Sequence, residues 1–77
     1  MSVSEVIRNR LIDNNVRFFA NDNISQYISD EEKQHLIDEL AEKFEDVLDC
    51  LIIDRFNDPN SSGTPKRLAK MYINEIM

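Results

Sequence analysis

Ile37, Leu40, Phe44, Val47 and Leu51 recur at alternating steps of three and four residues, with Leu36, Ala41, Leu48 and Ile52 beside them. Only an α-helix gathers that spacing onto one side. The stripe predicts a long helix from about Asp30 to Ile53, roughly 35 Å at 1.5 Å per residue. Its start is marked by Ser29 and Glu32, which have the spacing of a capping box in which each side chain satisfies the other's backbone amide. Asp30, Glu31 and Glu32 also set negative charge at the positive end of the helix dipole.

The remaining segments are shorter. Val3, Val6, Ile7 and Leu11 predict a short first helix capped by Ser2 or Ser4. The polar turn Asn21, Asp22, Asn23 follows, and Ile24, Tyr27 and Ile28 suit one more turn on the same core. The stretch DRFNDPNSSG holds the one Gly and one of the two Pro residues, so it reads as a connection. Thr64 and Pro65 then match a helix start, hydroxyl at the cap and Pro at the first helical position. Leu68, Ala69, Tyr72, Ile73 and Ile76 form the apolar face of this last helix, while Arg67, Lys70 and Asn74 point the other way. An all-α fold of two to three helices is expected, with residues 1–77 as a single helical domain or a segment of a longer chain. The last helix is still patterned at Met77 and has no terminating Gly, Asn or Pro, which favours the segment.

With 77 residues the chain buries only about 60% of the surface its unfolded form exposes. Its net charge of −6 argues against nucleic acid and anionic lipid as partners. No stretch has the roughly 20 apolar residues needed to cross a bilayer, and no basic-then-apolar leader is present. The single Cys fits a reducing compartment. A cytoplasmic location is therefore expected. The charge is uneven: nine carboxylates lie between Asp30 and Asp49 against Lys33 and Lys43, whereas Lys66, Arg67 and Lys70 face only Glu75 near the end.

Catalytic chemistry has little to work with. A zinc site needs several His, Cys or carboxylate ligands within about 2.0–2.3 Å of one ion. His35 and Cys50 stand fifteen residues apart on one predicted helix and cannot share it. His35 is expected to be partly exposed and Cys50 to be a small core residue. One Gly excludes the glycine-rich phosphate loops, and the acidic side chains follow the solvent face of the long helix. Arg67 and Lys70 differ. Three positions apart, they leave the same helical face within one turn, close to a helix start whose free amides and dipole favour an anion. Two cations beside a positive helix end suit a phosphate, although basic residues also decorate ordinary helices.

From Glu31 onward the string EEKQHLIDELAEKFEDVLDCLIIDRFNDPNSSGTPKRLAKMYINEIM resembles the N-terminal helical region of GTP cyclohydrolase I. That family runs a long helix into a polar loop with Asp and Pro, then TP, a variable residue, R, an aliphatic residue and AKMY. Thr64, Pro65, Lys66, Arg67, Leu68, Ala69, Lys70, Met71 and Tyr72 carry the pattern here. The resemblance implies the helical N-terminal part of an α+β enzyme that converts GTP to 7,8-dihydroneopterin triphosphate and formate, a step toward folates and other pterins. It implies that Arg67 and Lys70 contact the triphosphate. It also implies that the zinc, its two Cys and one His ligands, and the catalytic His residues belong to a following region, so these 77 residues contain no catalytic residue of their own. The family forms a toroidal homodecamer, so a homo-oligomer is expected, with Tyr72, Ile76 and Met77 awaiting a covering neighbour. A reading from another class stands beside it: a freestanding truncated relative that acts as a regulatory or protein–protein interaction module through its helices.

Overall fold

The structure, a computed structural model, describes residues 2–76, with Ile76 described through its backbone alone. Helices α1 (Val3–Asp13), α2 (Asp30–Cys50) and α3 (Thr64–Ile76) are joined by irregular segments, the first of which holds a single 3₁₀ turn at Ser25–Tyr27. The described residues contain no strand, so the fold is all-α. No helix among them is long and apolar enough to cross a membrane.

The cap signals of α1 and α2 act as expected. Ser2 accepts from the Glu5 amide at 3.3 Å. Ser29 accepts from the Glu32 amide at 3.1 Å, and Glu32 accepts from the Ser29 amide at 3.0 Å. The ends of α1 and α2 share one device that periodicity did not reveal. At the end of α1 the amide of Asn15 bonds to Ile12 and that of Val16 to Leu11. At the end of α2 the amide of Ile52 bonds to Asp49 and that of Ile53 to Leu48. These paired bonds form the Schellman closure, which needs a left-handed residue just beyond the cap. Asn15 takes that conformation readily at φ 56°, whereas Ile52 does so at φ 61° against the steric preference of a β-branched residue. The long helix accordingly ends at Cys50 rather than at the expected Ile53.

The start of α3 also moves by one position. The Gly63 carbonyl accepts the Arg67 amide at 3.2 Å, so Gly63 rather than Thr64 precedes the first helical residue. The Thr64 hydroxyl is not a cap acceptor; it donates to the Asn60 carbonyl at 3.0 Å. Pro65 therefore occupies the second helical position, where a missing amide still costs nothing.

Ile7, Leu11, Ile28, Leu36, Ile37, Ala69 and Ile73 form one buried cluster joining all three helices. Helix α1 runs antiparallel to α2, since Arg10 meets Glu32 while Ser4 meets Glu39. Along α3 the contacts advance with those of α2: Lys66 lies 3.7 Å from Asp38, and the Tyr72 ring 5.8 Å from that of Phe44. The connection must therefore return along α2, and Arg55 anchors it there by reaching Asp49 at 3.0 Å and Glu45 at 3.8 Å.

One polar clasp ties α1 to the entry of α2. The Arg10 guanidinium donates to Glu32 at 2.8 and 2.6 Å and to the Tyr27 carbonyl at 2.7 Å. Bidentate pairing with Arg10, followed by the Ser29 amide, lowers the Glu32 carboxyl from 4.5 to about 2. A group depressed on folding stabilises above its unfolded value and loses that contribution as pH falls through its folded one. Stability should thus decline as pH drops from 4.5 toward 2. Asp22, Glu39 and Asp54 are lowered too and add to the trend. Glu32→Gln should be less stable at neutral pH and flatter across that window when both proteins are unfolded with urea. An equal slope in both would exclude the clasp as a source.

Candidate anion-binding face of α3

Two carboxylates shape the loop that delivers α3. Asp54 accepts from the Asn57 amide and side chain at 3.1 and 2.8 Å. Asp58 accepts from the Asn60 amide and the Ser61 hydroxyl, both at 2.9 Å. Such side-chain turns replace the ladder bonds that a loop lacks.

Arg67 and Lys70 then emerge from the first two turns of α3, and both are exposed. Their side chains make no hydrogen bond or ion pair to a described residue. Arg67 folds back toward the start of its helix, where its Nη2 lies 3.8 Å from the point at which a Cβ on Gly63 would stand. Lys66 is turned elsewhere, toward Asp38. The backbone offers an anion less than expected. The Thr64 amide is bonded to Ser61, Pro65 has no amide proton, and the Arg67 amide is bonded to Gly63, leaving the Lys66 amide free at this end. The two side chains and the helix dipole supply most of the attraction.

Neither residue borders either of two cavities formed by the described residues. A cavity of about 300 Å³ lies between α1 and the Phe18–Asp22 segment, touching Arg8 and Asp22. A second, of about 540 Å³, runs between α2 and α3. Periodicity alone did not indicate it, although an 11-residue helix beside one of 21 residues leaves half the longer partner uncovered.

His35 is exposed as expected, 3.9 Å from Glu31. Cys50 is exposed rather than buried, because the buried cluster meets α2 only near its start, at Leu36 and Ile37, and does not extend to its last turn. Val47 and Leu51 stand 49% and 63% exposed for the same reason. Tyr72 is 43% exposed, while the Ile76 side chain and Met77, also expected at the surface, lie outside the described residues. Among the described residues no three His, Cys, Asp or Glu side chains converge on a point that could hold a metal ion. Compared with protein-family models, curated proteins and solved structures, the chain matches none.

Proposed function

We propose that these residues are the helical N-terminal segment of a GTP cyclohydrolase I-like enzyme of the cytoplasm, contributing Arg67 and Lys70 to the triphosphate end of the GTP site. The supporting observation is that these two cations are left unclaimed in a chain with fifteen carboxylates. Arg10, Arg17, Arg55 and Lys66 each pair with an acid; Arg8, Lys33 and Lys43 make no ion pair among the described residues either, but none of them has a second unpaired cation within one turn of its helix. Arg67 and Lys70 have none among the described residues, and they sit together where a helix dipole adds to their field. Their part is to bind and orient the anionic tail. Zinc and the groups that open the purine ring are assigned to a region beyond this chain, and no step is attributed to residues here. The half-exposed ring of Tyr72 suits an assembly in which neighbouring copies, as in a homo-oligomer, cover α3.

The test is formate release from GTP by the chain joined to its zinc-bearing region. Arg67→Ala and Lys70→Ala should each lower kcat/KM by about 1–3 kcal/mol, the scale of a hydrogen bond to a charged group. The loss should fall mainly on KM, because the triphosphate is held equally before and during ring opening. Unchanged kinetics in both variants would remove the assignment.

A further inference from the structure

The cavity of about 300 Å³ beside α1 has a floor of core residues and a wall made by one short loop. Ile7, Leu11, Ile28 and Leu36 form the floor, none of them more than 8% exposed. Beyond the left-handed turn at Asn15 the chain returns along α1, and Phe18, Phe19 and Ala20 form the wall. That wall is fastened to itself. Asp22 accepts from the Arg17 guanidinium at 2.8 and 2.9 Å and from the Phe19 amide at 2.8 Å, and its own amide donates to the Phe19 carbonyl at 2.9 Å. A cavity with a packed floor and a fastened wall needs little rearrangement to receive a ligand.

Size and charge narrow the occupant. One turn of helix, about 5.4 Å long and about 10 Å across, fills roughly 420 Å³, so the space takes a small molecule rather than a helix. It stands at the lower end of the roughly 300–1,000 Å³ usual for ligand pockets. Two charged groups border it, Arg8 and Asp22. Asp22 is already engaged: the Arg17 guanidinium, and then the Phe19 amide, hold its carboxyl below the usual carboxylate range. Glu5, one turn before Arg8 on α1, accepts from the Ser2 hydroxyl at 3.1 Å. Arg8 makes no ion pair among the described residues, so the charge left to meet a ligand is positive. A guanidinium fork suits a carboxylate, and the phenyl rings of the wall suit an aromatic body. We propose that this cavity binds a small aryl monocarboxylate, its ring against Ile7, Leu11 and Phe18 and its carboxylate on Arg8. Arg67, Lys70 and Tyr72 do not border the cavity, so the proposal is independent of the nucleotide reading and of any neighbour that covers α3.

The test titrates the 77-residue chain with phenylacetate, phenylacetamide and phenethylamine, followed by amide nuclear magnetic resonance. Phenylacetate should bind at about millimolar strength, as so small a ligand allows. The shifted signals should fall within residues 4–11 and 18–28, which border the cavity. The amide and the amine offer no anion and should bind at least about fivefold more weakly, between the contributions of an exposed ion pair and a charge-assisted hydrogen bond. Arg8→Gln should weaken phenylacetate by the same factor. Arg67→Ala removes an equal charge elsewhere and should alter affinity by less than about twofold. Ala20→Trp, at an exposed position of the wall, should block binding while circular dichroism shows unchanged helix content. Tripolyphosphate, which has no apolar part, should leave these signals in place. Equal binding of phenylacetate and its amide, indifference to Arg8→Gln, or shifts centred on Arg67 and Lys70 would each overturn the proposal. So would the same shifts on concentrating the chain alone, the mark of a second copy's side chain in the cavity.

Discussion

Ile37→Ala is expected to destabilise the chain by about 2–5 kcal/mol, the range for truncating a buried aliphatic side chain and leaving a cavity. Ile37 is 1% exposed and belongs to the cluster through which α1, by Ile7 and Leu11, and α3, by Ala69 and Ile73, meet α2. For 77 residues the total stability should be about 4–12 kcal/mol at 0.05–0.15 kcal/mol per residue, toward the low end because so short a chain buries a modest share of its surface. One substitution therefore removes a large part of the whole. Ile12→Ala, at a position 57% exposed on α1, should change stability by no more than about 0.5 kcal/mol. Urea titrations followed by helical circular dichroism compare the two, and similar losses in both would mean that the core does not lie where the three helices meet.

Ala69→Asp should cost at least about 3 kcal/mol, since Ala69 has no exposed surface and the buried cluster of the described residues contains no polar or charged side chain to pair with a carboxylate. Ala69 lies where α3 meets α2, flanked in sequence by Lys66, which reaches Asp38, and Tyr72, which packs on Phe44. A charge there either becomes protonated or leaves the contact, taking α3 with it. The variant should recover part of its deficit near pH 4, where the new carboxyl can be neutral. Hydrogen exchange should show α3 amides losing protection before those of α1. A uniform loss of protection across all three helices would contradict this account of the contact.

How legible the fold was in the residues depended on the range of the signals. The start of α2 could be placed because Ser29 and Glu32 act on each other's amides within one turn. Its end could not, because Ile52 takes a left-handed conformation that favours Gly or Asn, and nothing in the residue type announces that. Cys50 was misplaced for a related reason. Helical spacing identifies the apolar side of α2 but not how much of it α1 and α3 are long enough to cover. At the candidate site, the shared face and exposure of Arg67 and Lys70 followed from their spacing. The free amides did not, because Thr64 turned its hydroxyl back to Asn60 and its amide to Ser61. Those choices depend on the fold of the preceding loop.

The most direct measurement is amide nuclear magnetic resonance of the 77-residue chain titrated with tripolyphosphate and with magnesium GTP. Binding at about millimolar strength is expected, as two exposed cations allow. The shifted signals should be confined to Gly63–Met71, with the same pattern for both ligands, and should vanish in the Arg67→Ala, Lys70→Ala double variant. Shifts centred on Arg8 or Lys43, or shifts at α3 that persist in the double variant, would contradict the assignment of these two residues to the phosphate tail.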